Sequence, residues 1–330
     1  LEVEREQASR GPVVVEGWRG DVALRVELPA GYWGLVTRPT LPVDDTELYQ
    51  AARLQLAGGE VEGAVERLRQ LATRLHRAGR LAEAAWMAYE TADALAAAQR
   101  WGEASAALHA GLADAHASGD RRFVAWGHER KGALLLRRSE LAGAAEQYRR
   151  ALALREQLPG SVAEIEILTR LGRLAIDRGD FDEAQQLLDR ALVLGRARAP
   201  GSLAVAETRG QLAVIFGLRS EFDAAMEHML AALETQQRLA PHSVFVVQTL
   251  NRLGLASRRL GRLADAETYY RAALGIQQTL DPMGFQHRRG PDQSRSAGDP
   301  TGPLAPGRGD FLALVGDLRS GGLRDARGGR

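Results

Sequence analysis

The chain contains no cysteine, a single lysine (Lys131), only 5% aromatic residues and no long uninterrupted apolar run. Without cysteine there is no disulfide, no thiolate zinc site and no cysteine nucleophile. A membrane-spanning helix needs about 20 consecutive apolar residues, and the opening Leu1–Arg10 has neither a basic n-region nor an apolar h-region. The expectation is a cytoplasmic protein with no membrane contact. Charge of one sign is lacking too: 43 Lys and Arg face 42 Asp and Glu, for a net charge of +1 over 330 residues. So balanced a chain carries no footprint for nucleic acid. The scarcity of lysine beside 55 alanines reads as coding bias and carries no mechanistic weight.

Catalytic signatures are equally absent. No two histidines stand at the i, i+4 spacing that places two metal ligands on one helical face. Lys131 follows Glu129 and Arg130, so no phosphate-binding Gly-x-x-x-x-Gly-Lys loop exists, and no Gly-x-Ser-x-Gly elbow occurs. Glu164 and Glu166 read as a solvated helix face rather than an acid–base pair. The expectation is no enzyme, no metal and no cofactor.

What the sequence does have is a period. Ala64, Ala104, Ala144, Ala184, Ala225 and Ala266 are spaced by 40, 40, 40, 41 and 41 residues. Twelve residues before each stands a small residue: Ala52, Ala92, Gly132, Gly172, Ala213 and Gly254. Seven after each stand Leu71, Gly111, Ala151, Ala191, Ala232 and Ala273. Small side chains at linked offsets let two helix axes cross closely, so each unit is expected to be an antiparallel helical pair. Gly59, Gly179 and Gly261, five before the recurrent alanine, suit a helix end of positive φ, and Gln99, Ser139 and Ser220 hold that position in the other units. The pattern Leu168, Leu171, Ala175, then Ala184, Leu188, Ala191 has helical periodicity and no strand alternation.

The unit Val247–Leu274, with its Leu-Asn-Arg-Leu-Gly and Ala-Glu-Thr-Tyr-Tyr-Arg-Ala-Ala-Leu segments, resembles a tetratricopeptide repeat of the long, kinesin-light-chain-like kind. The resemblance runs over residues 44 to 280 as six units. It implies an all-α solenoid of helical hairpins, a right-handed superhelix whose concave groove holds an extended peptide or a partner protein. The positions that face the groove in this family correspond here to Tyr49, Trp86, Tyr89 and Trp126 in the first half, and to Glu166, Arg173, Gln248 and Asn251 in the second; Arg258, near the end of the last first helix, is a further candidate that could meet an acidic peptide or be solvated. Asn251 matches the residue with which the family's repeats hold a peptide backbone. Trp86 and Trp126 equally suit plugs of the inter-repeat core.

The two ends differ from the repeats. Residues 1 to 40 carry short β-type runs, Val13–Val15, Val22–Leu28 and Tyr32–Val36, as in the edge of a small β domain. Residues 281 to 330 hold eleven glycines, five prolines and eight arginines with no glutamate. That composition is expected to stay disordered, except that Asp310–Leu318 could cap the last repeat as a short helix. A β segment followed by long repeats is also similar to bacterial proteins ending in a caspase-like CHAT peptidase domain. That similarity implies an alternative, the recognition portion of a larger signalling enzyme. Self-association of the array is a further possibility.

Overall fold

The protein is represented by a computed structural model, which describes residues 13–19, 22–28, 41–158 and 162–280. Six helical hairpins follow one another. Their first helices are α1 (Val43–Ala57), α3 (Leu81–Ala97), α5 (Arg121–Arg137), α7 (Ala163–Asp177), α9 (Leu203–Leu218) and α11 (Val244–Arg259). Their second helices are α2 (Val61–Arg77), α4 (Trp101–Ser118), α6 (Leu141–Arg155), α8 (Phe181–Arg198), α10 (Phe222–Leu239) and α12 (Leu263–Leu280). This is an all-α helical-hairpin solenoid.

One local device makes each hairpin. Gly59, Gln99, Ser139, Gly179, Ser220 and Gly261 all have positive φ, between 60° and 82°. The amide that follows each closes back onto the helix, as in Glu60 N–H to Gln55 O (2.8 Å) and Arg262 N–H to Ser257 O (2.9 Å). A second bond runs from the left-handed residue itself, as in Gly179 N–H to Ile176 O (2.9 Å). These two bonds are the Schellman ending, which satisfies carbonyls that a helix end leaves open. Non-glycine residues tolerate the same conformation at three of the six turns because the two bonds hold it in place.

The small residues allow the helices to close. All six recurrent alanines are at most 4% exposed. A Cβ added at Gly172 would lie 2.7 Å from Leu188 Cγ, and one added at Gly254 would lie 2.7 Å from a ring carbon of Tyr270. Substitution there pushes the second helix outward. The core is accordingly a string of apolar clusters, beginning around Leu41 and Tyr49 and ending around Tyr269 and Ala273. Each hairpin buries itself only against its neighbours.

Glu164 corrects the expectation of a solvated carboxylate. Its side chain is 5% exposed and accepts from Arg198 (2.6 Å) and Arg190 (3.2 Å), so it ties α7 to α8. Glu129 and Arg155 form a second buried pair at 3.0 Å. In both, the guanidinium offsets the cost of removing a carboxylate from water.

Before the array, β1 (Val13–Arg19) and β2 (Val22–Leu28) pair antiparallel, with Val13 opposite Leu28 and Arg19 opposite Val22. The first strand therefore runs four residues beyond Val13–Val15. The third expected run, Tyr32–Val36, and the whole of residues 281–330 lie outside the described residues. Among the described residues no helix is long and apolar enough to cross a membrane.

Candidate peptide-binding groove

First helices of successive hairpins touch each other at α3–α5 and α7–α9, while no two second helices pack as closely among the described residues. The array therefore curves with its first helices inside, and their inward rows form the wall of a concave groove. Each row is named here by its offset from the small residue of the first helix.

Three residues before the small residue, the structure corrects the expectation for both tyrosines. Tyr49 and Tyr89 are 3% and 0% exposed, so neither offers a surface to a ligand. Tyr89 fills space left by glycines: a Cβ at Gly127 would lie 2.2 Å from its hydroxyl oxygen, and one at Gly111 would lie 2.7 Å from its ring. Its hydroxyl donates to the Phe123 carbonyl at 3.2 Å, and burial raises its pKa well above the ordinary range. At the same offset Thr169 is buried and hydrogen-bonded to Thr208 at 2.8 Å, Gly210 leaves a gap, and Asn251 is exposed. A large aromatic in this row turns inward because the paired glycines make room for it. A small or polar residue leaves the row open.

Six residues before the small residue, Trp86 and Trp126 are half-buried, with ring centroids 4.7 Å apart. Tyr89 meets Trp126 edge-on at 5.1 Å, and Phe123 closes the cluster at 6.3 Å from Trp126. The indoles thus serve the inter-repeat core with one side and the groove with the other. Further along this row Glu166 is 16% exposed, and Gln248 is exposed. Arg173, one residue after the small residue, is exposed as well. Arg258 stands apart from them, at the rim of an open hollow on the last hairpin lined by Leu263, Ala266, Tyr270 and Leu274.

One row was not among the expected positions. Two residues before the small residue stand Gln50, Glu90, Arg130, Arg170, Gln211 and Arg252. Arg53, just after the small residue of the first unit, pairs with Glu90 of the second at 2.8 Å. Asp93 of the second unit pairs in the same way with Arg130 of the third. Arg130 also lies over the Trp126 ring, 4.6 Å from its centroid. The next steps of this ladder would be Ala133 with Arg170, Arg173 with Gln211 and Val214 with Arg252, and none of these is an ion pair. Charge at these offsets is legible in the sequence once the two rows are read together across units.

Glu207 completes the second half of the wall. Removal from water raises its carboxyl pKa, and the nearby Arg170 and Arg173 only partly offset this. Arg252 is lowered by desolvation and by the neighbouring charge of Arg173. The histidines occupy other surfaces: His76 pairs with Asp114 at 2.7 Å, and His128 with Gln147 at 2.9 Å.

Family models described as tetratricopeptide repeat match residues 163–238 and 246–280. The second half of the described array is thus built of tetratricopeptide repeats. Solved structures share the fold over most of the chain's length. BtubC (BKLC) from P. vanneervenii aligns with 77% of this chain and 99% of its own, at 21% identity and a TM-score of 0.58. A STAND protein with a tetratricopeptide repeat sensor from Pyrococcus horikoshii aligns over 74% of this chain and 41% of its own, at 12% identity and a TM-score of 0.56. The Rap protein complexed with competence and sporulation factor aligns over 73% of this chain and 67% of its own, at 15% identity and a TM-score of 0.51. These likenesses establish the repeat fold alone. No curated protein matches the chain in sequence.

Proposed function

We propose that the protein is a non-enzymatic interaction scaffold that binds an extended peptide or a segment of a partner protein along the first helices of its repeats. The observation that carries this reading is the polarity of the second half of the groove. Arg173, Glu207, Gln248 and Asn251 line it, and among the described residues none of the four has a hydrogen bond or ion pair within the protein. A row of unused donors and acceptors in the second half, with half-buried Trp86 and Trp126 in the first, suits a ligand that brings backbone groups and side chains together. Repeats of this family are typically interaction modules, and the Rap structure of the same fold is a complex with competence and sporulation factor. The STAND structure supports a related role, a sensor segment serving a larger signalling protein.

Gly210 provides the test. A Cβ there meets only Arg252 Nη1 at 3.7 Å, ordinary contact, so a side chain can start from this position without the backbone having to shift. On a peptide array probed with the full chain, Gly210→Trp is expected to abolish peptide capture while leaving the helical circular dichroism unchanged. Capture that survives Gly210→Trp, or no capture by the wild-type chain, would sink the groove reading.

A further inference from the structure

The second helix of each of the first five hairpins is covered by the first helix of the hairpin that follows, and α12 among the described residues is not. Met229 and Leu233 on α10, four and eight residues after the recurrent alanine, are 3% and 0% exposed and share a cluster with Val246, Val247 and Leu250 of α11. Leu188 and Leu192 hold the same places on α8 and lie in one cluster with Val205 and Leu212 of α9. On α12 these places fall to Tyr270 and Leu274, 37% and 42% exposed, which line the open hollow together with Leu263. On α11, Leu255 is exposed at the offset from which Arg53 and Asp93 reach the next unit. Arg258 stands at the rim of the hollow, and neither it nor Arg259 has an ion pair among the described residues. Their counterparts one unit earlier, Gly217 and Leu218, are uncharged. An occupant of this end face needs an apolar row edged by carboxylates.

The chain carries such a row beyond Leu280. Leu312, Val315 and Gly316 repeat the spacing of Leu250, Leu253 and Gly254. Gly321, Leu323, Asp325 and Ala326 repeat Gly261, Leu263, Asp265 and Ala266 in the same way, with two residues fewer between the two patterns. Asp310 and Asp317 flank the apolar residues. Leu314 stands two before Gly316, the offset of Glu90 and Arg130, so in the register of the ion-pair ladder its neighbour is Leu255. We propose that the end face of the last hairpin is the docking site of the chain's own residues 310–318, with Leu314 against Leu255 and the two aspartates toward Arg258 and Arg259. The 29 residues between Leu280 and Asp310 can span up to about 95 Å, against about 27 Å for the 18 residues of α12, so the tether reaches any point of the face. Tethering also gives the segment an effective concentration on the order of millimolar, which favours it over a second copy. Once docked, it removes Leu255, Tyr270 and Leu274 from water and closes the array to head-to-tail growth.

A chain without cysteine allows a direct test by crosslinking. In the full chain, Leu255→Cys with Leu314→Cys is expected to close an intrachain disulfide under mild oxidation at least about ten-fold faster than Leu255→Cys with Ala305→Cys, because only the docked register brings two Cα atoms within the roughly 4.4 to 6.8 Å that the bond needs. Adding Leu263→Asp and Leu274→Asp, both at exposed positions, should remove that advantage. Circular dichroism checks that the helices persist in every variant. Equal rates for the two cysteine pairs overturn the proposal, as do no disulfide in either or an advantage that survives the two aspartates. Mixing chains that carry only Leu255→Cys with chains that carry only Leu314→Cys tests the second copy. Linked dimers forming as fast as the intrachain bond would place another molecule on the face and overturn the docking of the chain's own segment.

Discussion

The two halves of the groove share one register and use it in opposite ways. In the first half, Tyr89 is folded into the core, Trp86 and Trp126 support it, and Arg130 lies across an indole while paired to Asp93. In the second half, the equivalent positions are Gly210, Asn251, Gln248 and Arg252, and the wall is left with exposed polar groups. The first half spends its inward side chains on joining units, and in the second Arg173, Glu207, Gln248 and Asn251 have no hydrogen bond or ion pair within the protein among the described residues. A repeat protein can thus divide stability and recognition along its length without changing its backbone.

The sharpest way to break this comparison is to remove the residue at the same offset in each half. Tyr89→Ala deletes a fully buried ring between Gly111 and Gly127, and it should cost about 3 to 5 kcal/mol, as large aromatic truncations in cores do. Asn251→Ala, at an exposed site, should change stability by no more than about 0.5 kcal/mol. Urea unfolding of both variants measures the difference. Equal costs would show that the two halves are not specialised. For the same reason a binding test on Tyr89→Ala would confuse lost packing with lost recognition, whereas Gly210→Trp does not.

Much of the architecture was legible in the sequence because it follows from backbone constraints that repeat. The period of the small residues reported the helix crossings, and the residue five before each alanine reported the turns, even where Gln99, Ser139 and Ser220 replace glycine. The groove was less legible. Offsets in a repeat name a direction, and whether a side chain reaches the surface depends on the volume its neighbours leave. Tyr89 is buried because Gly111 and Gly127 stand opposite, a coincidence between helices that no single offset reveals. Glu164 departs from the expected solvated face for a related reason, since Arg190 and Arg198, which pair with it, lie 26 and 34 residues away. The arginine row two before the small residue carries no signal within one unit, because its meaning lies in pairs between units.

A second substitution would extend the ladder into the half that lacks it. Val214→Asp places a carboxylate one step from Arg252, in the register of Asp93 with Arg130. The new pair should add about 0.2 to 1 kcal/mol of stability, the usual range for partly exposed pairs, and the gain should shrink with salt. A variant whose stability does not rise, or whose gain is insensitive to salt, would show that the register of the first half does not carry over to the second.

The smallest expected effect treats the halves alike. His128 in the first half and His228 in the second both have pKa values lowered, chiefly by burial, with repulsion from Arg150 and Arg209 respectively adding to it. In His128 the hydrogen bond to Gln147 opposes the shift without reversing it. His228 stacks on Phe216 with ring centroids 5.2 Å apart, an arrangement that keeps its imidazole among apolar atoms. A histidine held neutral in the folded state gives stability that is present above its unfolded pKa of about 6.5 and lost as pH falls below that value toward the folded pKa. The thermal midpoint should therefore fall between about pH 7.5 and pH 5.5, and the fall should be smaller in His128→Gln and in His228→Phe. Tryptophan fluorescence separates the two contributions, because α5 carries Trp126 and packs on Trp86, and no tryptophan lies beyond residue 126. Fluorescence then follows the first half, and circular dichroism follows the whole array. If acid lowers the circular dichroism midpoint of His128→Gln while its fluorescence midpoint holds, the two halves open as separate units.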